Sequence, residues 1–293
     1  MSGTHRVPIV QVQSVSYHYG FTGGDAGRAI SDVTLEIGHG ELIALVGQNG
    51  SGKSTLARHV NGLLKPCSGR VLVHGVNTRE VPIHWLARHV GYAFQNPDDQ
   101  LFAATVVEDI SFGPRNVGHD PAEVERRAGM VIAQLGLGDV AGHHPFLLNR
   151  STRRLAALAG VLALTPDVLI WDEPTDGLNA WAVDRVQAVV RHHVADGGAV
   201  LLISHDMGFV AATANRVVIL RGGRVVADGP TRKLMTDLSL LTANNLALPP
   251  VTRLAQALAP RGMRPDVLNP EEFCDAYAAL WRACHLLPGT LGP

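Results

Sequence analysis

Two stretches of this chain combine residue types and spacings suited to phosphate chemistry. The first is Gly47-Gln48-Asn49-Gly50-Ser51-Gly52-Lys53-Ser54-Thr55. Its glycines let the backbone turn N–H groups inward around phosphate oxygens, and a helix starting at Lys53 would add its positive dipole end. Gly47, Gly52, Lys53 and Ser54 hold the fixed positions of the phosphate-binding loop pattern. Lys53 is placed to reach β and γ phosphates, and Ser54 to offer its hydroxyl to Mg²⁺. Asn49, Gly50, Ser51 and Thr55 complete the cradle. The second stretch is the apolar run Val168 to Trp171, which ends in Asp172-Glu173. Asp172 would hold the Mg²⁺ shell, and Glu173 would polarise the attacking water as general base.

These residues need a rigid frame. Leu42 to Val46 is a continuous apolar run ahead of the cradle, as expected for a strand buried on both faces. Asp167 to Trp171 and Ala199 to Ile203 read the same way, with a crossover helix at Ala180 to Val194 between them. That order predicts a parallel α/β sheet. Val10 to Tyr17 and Val33, Leu35 and Ile37 alternate like half-buried strands, and Gly20 to Gly27 reads as a loop or hairpin. Val71 to Val73 and Val90 to Phe94 are short strands. From Gln95 to Thr165 the texture turns helical, with Ala122 to Leu135 and Arg153 to Leu164 as helices. Val217 to Leu220 and Arg224 to Ala227 form a closing hairpin. Asn269-Pro270-Glu271-Glu272 starts a last helix, with Asn as cap and acids at the positive end. Its face Phe273, Tyr277, Leu280 and Trp281 packs on its own chain or on a second one.

Composition narrows the classes. The chain has 293 residues, 46% of them hydrophobic and 17% charged, enough to bury a sizeable core. A net charge of −1 without a basic stripe argues against a nucleic-acid partner. The longest apolar run, Leu155 to Leu164, is too short to cross a bilayer, which takes about twenty residues. Met1 to Val10 does not resemble a signal peptide. Membrane association is therefore expected only through a partner. Cys67, Cys274 and Cys284 have no paired spacing, which argues against disulfides and a zinc site. His143-His144 and His192-His193 read as surface histidines.

Together these motifs resemble the ATPase subunit of an ATP-binding-cassette (ABC) transporter, over roughly Val10 to Pro230. The resemblance implies an α/β fold: a P-loop NTPase (RecA-like) core with a parallel sheet, an antiparallel β subdomain and a helical subdomain insert at about 95–165. It implies an ATP-binding domain at 1–232, and a C-terminal helical extension at 233–293 that is a candidate dimerisation region. It also implies ATP and Mg²⁺ as cofactors, and ATP hydrolysis as the activity. Tyr19 resembles the aromatic that stacks on adenine, with Tyr17 as the alternative. Gln95 resembles the glutamine that senses the γ-phosphate, reaches the Mg²⁺ and joins the core to the helical lobe. His205, in Ile203-Ser204-His205-Asp206, resembles the histidine that contacts the γ-phosphate. Glu173, His205 and Gln95 are thus the implied catalytic set, and Ser54, Gln95 and Asp172 the implied metal set.

The longer string Phe94-Gln95-Asn96-Pro97-Asp98-Asp99-Gln100-Leu101-Phe102, with Leu248-Pro249, is similar to ATPases of energy-coupling-factor (ECF) transporters. Those import vitamins or transition-metal ions such as cobalt or nickel. The resemblance implies a peripheral protein on the cytoplasmic face of the membrane. It would work as a nucleotide-sandwich dimer with a second ABC ATPase, coupled to integral membrane subunits. Asp98 and Asp99 are expected to pair with basic residues of those subunits. The alternatives are a non-hydrolysing regulatory subunit and a soluble ABC ATPase outside transport.

Two departures stand out. Leu148-Asn149-Arg150-Ser151-Thr152 occupies the place of the family's Leu-Ser-Gly-Gly-Gln signature, and only Leu148 matches. Gly177-Leu178-Asn179 stands where the family has Gly-Leu-Asp. Both concern what the chain presents to a partner's nucleotide, so a heterodimer is favoured, with a homodimer as the alternative.

Overall fold

The computed structural model describes residues 7–20 and 27–285, apart from the side chains of Arg28, Cys284 and His285. Residues 21–26, inside the expected Gly20 to Gly27 loop, lie outside the described residues, as do both chain ends. The strands are β1 (Val10–His18), β2 (Arg28–Ile37), β3 (Leu42–Val46), β4 (Ser68–Val73), β5 (Val76–Asn77), β6 (Val90–Ala93), β7 (Val168–Asp172), β8 (Ala199–Ile203), β9 (Arg216–Arg221) and β10 (Arg224–Pro230). They form an antiparallel sheet ordered β2-β1-β4-β5 and a second sheet ordered β10-β9-β3-β8-β7-β6. In the second sheet all pairs are parallel except the closing hairpin of β9 and β10.

The unbroken apolar runs of β3, β7 and β8 have a direct explanation. Ile43 and Leu45, Val168 and Ile170, and Leu201 and Ile203 point to one face. There they pack with the antiparallel sheet and with α1 (Lys53–Val60). Ala44 and Val46, Leu169 and Trp171, and Val200 and Leu202 point to the other face, under the helices. With both faces covered, neither set of alternate positions can be polar.

The helical part holds α2 (Ile83–His89), α3 (Val106–Asn116), α4 (Pro121–Leu135) and α5 (Arg150–Leu162). Helices α2 and α3 lie outside the helices expected from the sequence, although Thr105 and Glu108 form a reciprocal capping box at the start of α3. Helix α5 begins earlier than the expected Arg153, because Asn149 Oδ1 accepts from Thr152 N–H at 2.9 Å and caps the first turn. After α6 (Ala180–Ala195) and α7 (Met207–Thr213) come α8 (Thr231–Met235), α9 (Leu238–Ala243), α10 (Pro250–Leu258) and α11 (Pro270–His285). Leu234, Met235, Leu241, Leu248 and Leu268 join the main core cluster. The apolar face of α11 divides. Phe273 and Leu280 pack against a small cluster of Ala255, Met263 and Val267, while Tyr277 and Trp281 are about half exposed, at 49% and 54%.

Candidate active site

The C-terminal edge of the parallel sheet gathers the candidate site residues. β3 runs into the cradle, β7 ends at Asp172, and β8 ends two residues before His205. Two glycines in the cradle are required by close approach. A Cβ on Gly47 would lie 2.3 Å from the Leu220 carbonyl oxygen, and one on Gly52 would lie 2.4 Å from that of Ala29. Gly52 also has φ +102 as it turns into α1, which any L side chain would strain. Ser51 Oγ is buried with no hydrogen-bond partner.

A cleft of about 380 Å³ opens at this edge. Tyr19, Asn49, Gly50, Gly52, Lys53, Ser54, Thr55, Gln95, Asp172 and Glu173 all line it, with Gly27, Ala29 and Ile203. Gly47 and Ser51 shape the loop from behind. Lys53 is 8% exposed, and its ammonium donates to the Gly47 and Gln48 carbonyls at 2.7 and 3.0 Å. Burial pushes its pKa down, while the Glu173 and Asp172 carboxylates act in the opposite direction. Tyr19 stands half exposed at the rim, its hydroxyl 3.2 Å from Thr55 Oγ1. Tyr17 instead turns inward, edge-on to the buried His59 at 4.8 Å.

Glu173 is the most constrained group. It is 8% exposed and has φ +51, a conformation costing a non-glycine residue about 1–2 kcal/mol. Its N–H donates to the Ile203 carbonyl at 2.8 Å. The carboxylate accepts from His205 Nδ1 at 2.8 Å and from the His205 backbone N–H at 3.3 Å. The bond to Glu173 raises the pKa of His205.

Three further neighbours, not expected from the sequence, join the site. The buried Tyr92 hydroxyl donates to Asp172 Oδ2 at 2.9 Å, and burial together with that carboxylate pushes the phenol well up. A hydroxyl inside a buried strand needs a partner, and that was the available signal. Arg154 is 6% exposed and donates to the main-chain carbonyls of both Gln95 and Asp176. Burial lowers its pKa, against the pull of Asp176. Its signal was a charge inside the apolar pattern of α5. Asp176 itself receives Arg150 Nη2 at 2.7 Å.

The two acids expected to meet a partner also have contacts within this chain. Asp98 is bound to Arg153 of its own chain at 2.9 Å, and Asp99 accepts from Asn96 at 3.3 Å. What faces outward beside Gln95 is an apolar groove of about 450 Å³, lined by Leu63, Ile83, Phe94, Phe102, Phe112 and Leu164 among others. Phe102 and Phe112 are 62% and 45% exposed and meet edge to face at 4.7 Å.

Comparison with known proteins identifies the family. The family described as "ABC transporter" matches residues 30–176. The energy-coupling factor transporter ATP-binding protein EcfA1 of Symbiobacterium thermophilum is 39% identical over 282 residues, 94% of this chain and 98% of that protein. The cobalt import ATP-binding protein CbiO of Rhodobacter capsulatus is 38% identical over 280 residues, 94% of this chain and 98% of its own. Among solved structures, cbiO1 from Clostridium perfringens, described as part of the ABC transporter complex cbiONQ, is similar with a TM-score of 0.70. Its identity is 31%, and the match covers 84% of this chain and 98% of that one. The chain belongs to the ABC transporter family. Within that family it is an ATP-binding subunit with the ATP-hydrolysing cassette fold, and it resembles the energy-coupling-factor branch.

Proposed function

We propose that this chain is the ATPase of an energy-coupling-factor type importer of a vitamin or a transition-metal ion such as cobalt or nickel. It works as a nucleotide-sandwich dimer on the cytoplasmic face of the membrane. The observation that carries the ATPase reading is the convergence of Lys53, Ser54, Gln95, Asp172 and Glu173 on one cleft. In this reading the amides from Asn49 to Thr55 hold the phosphates and Tyr19 lies against adenine. Lys53 leaves the loop carbonyls for the β and γ phosphates. Ser54, Asp172 and Gln95 offer a hydroxyl, a carboxylate and an amide, the hard oxygen donors that suit Mg²⁺. Bound there, Mg²⁺ would supply charge neutralisation at the phosphates. Glu173 orients water and takes its proton, and His205 moves between Glu173 and the γ-phosphate.

The apolar groove beside Gln95 supports a membrane partner, whose cytoplasmic helix would seat on Phe102 and Phe112. Among the described residues no helix is long and apolar enough to cross a membrane, so attachment in this reading runs through that partner. The signature segment favours a heterodimer. Asn149 caps its own helix and Arg150 is held by Asp176. A partner with an intact signature would then complete the site on this chain's cradle.

Tagged chain drawn from gently solubilised native membranes is expected to bring down a second cassette ATPase and integral membrane proteins. Recovery of this chain alone, from the soluble fraction, overturns the transporter reading.

A further inference from the structure

At the edge of the sheet opposite the cradle, three side chains from separate elements meet. His74 sits in the turn between β4 and β5, His89 ends α2, and Asp167 immediately precedes β7. Asp167 Oδ2 lies 3.0 Å from His74 Nε2 and 2.7 Å from His89 Nδ1. All three donor atoms fall within 4.8 Å of one another. Among the described residues this is the one group of three or more histidine, cysteine or acidic ligand atoms so closely placed. The nucleotide cleft lies at the far end of β7, about 15 Å away along a strand of five residues.

We propose that His74 Nε2, His89 Nδ1 and Asp167 Oδ2 form a binding site for a divalent transition cation of the Zn²⁺, Co²⁺ and Ni²⁺ class. Two imidazoles and one carboxylate form a borderline donor set, which suits these ions better than Mg²⁺ or Ca²⁺. Ligand bonds of about 2.1 Å place donors roughly 3–3.5 Å apart, close to the 3.0 and 2.7 Å that separate Asp167 from His74 and His89. Each imidazole presents the required nitrogen by moving its proton to the other ring nitrogen. Without an ion, burial pushes the Asp167 pKa up, but hydrogen bonds from His89 and His74 outweigh this and hold it below its usual value.

The scaffold holds the ligands in place. The His74 N–H donates to the Ile9 carbonyl at 2.8 Å, and the Asp167 carbonyl accepts from Ala199 N–H at 2.8 Å. The His89 ring packs on Trp85 with centroids 4.4 Å apart. His74 is exposed, so an ion can enter from solvent and keep a water in the remaining position. A bound ion clamps the β4–β5 turn of the antiparallel sheet to the base of β7.

The test is equilibrium dialysis of the full chain against Co²⁺ in excess Mg²⁺, which occupies the hard oxygen site in the cleft. One Co²⁺ per chain is expected for the wild type. Binding should weaken 10-fold or more in His74→Asn and in His89→Asn, as for loss of a ligand. His74 has φ +50, which asparagine tolerates, so the first variant should keep its fold and its ATP binding. A second readout does not depend on those variants. Co²⁺ should quench tryptophan emission in the wild type but far less in Trp85→Phe. No stoichiometric uptake by the wild type, or uptake and quenching unchanged by these substitutions, overturns the site and leaves a hydrogen-bonded His–Asp–His trio.

Discussion

The cradle and the signature segment belong to the same chemistry and are built in opposite ways. From Gly47 to Thr55 the chain relies on backbone, with glycines where a Cβ would strike a carbonyl and one lysine held in reserve on the loop. From Leu148 to Thr152 it relies on side chains, each turned to its own chain. Asn149 caps α5, and Arg150 binds Asp176. The Asn179 N–H sits 3.5 Å from Ser151 Oγ. A surface meant to close on a second molecule's phosphate needs free amides and small residues. In the proposed function the cradle holds this chain's own ATP, and the signature segment is poorly suited to a partner's.

The largest expected effect sharpens the first half of that contrast. Glu173→Gln keeps the shape and the backbone bond to Ile203 but removes the proposed base. Phosphate release by the assembled complex should fall about 10²–10⁴-fold while ATP binding persists; unchanged turnover would remove Glu173 from that role. The next attacks the second half. Changing Asn149, Arg150, Ser151 and Thr152 together to Ser, Gly, Gly and Gln should raise turnover of the purified chain on the order of 10²-fold, by restoring donors at the proposed dimer interface. A wild-type chain that already hydrolyses ATP rapidly alone, with no gain on restoration, would break the comparison.

Smaller effects probe the link between the two regions. Arg154 ties the Gln95 carbonyl to the Asp176 carbonyl from inside α5. Arg154→Met keeps the apolar stem and strands those acceptors, so urea unfolding should show a loss of about 1–3 kcal/mol. Turnover should fall as well, because Gln95 loses its anchor. The smallest effect is electrostatic. His205 has a raised folded pKa, so its pairing with Glu173 stabilises fully below the unfolded value of about 6.5. That contribution is lost as pH rises through the folded value. Its side chain is 73% exposed, which limits the effect to below about 1 kcal/mol. Melting temperatures across that window should fall more for the wild type than for His205→Ala, and parallel curves would show that the pair contributes nothing to stability.

Much of the frame was legible. The double-faced strands β3, β7 and β8, the crossover helix and the capped start of α11 stood in local pattern, because burial and capping act on neighbours in sequence. The short helix α2 lacks a side-chain cap and was missed. The face of α11 could not be assigned from its periodicity, since Phe273 and Leu280 pack on the small cluster while Tyr277 and Trp281 are about half exposed.

The same division runs through the sites. Sequence alone singled out the candidate phosphate cradle and the Asp172-Glu173 pair, because backbone approach to phosphate and a carboxylate at a strand end each demand particular residues at fixed local spacing. Only the tertiary structure decided the rest. It turned Tyr19 rather than Tyr17 to the cleft, engaged Asp98 with Arg153, and buried Arg154 between two loops. It also joined His74 and His89 to Asp167, 93 and 78 residues away in the chain. Those partners are chosen by how sheets and helices stack, and no local spacing encodes a contact between residues that packing alone brings together.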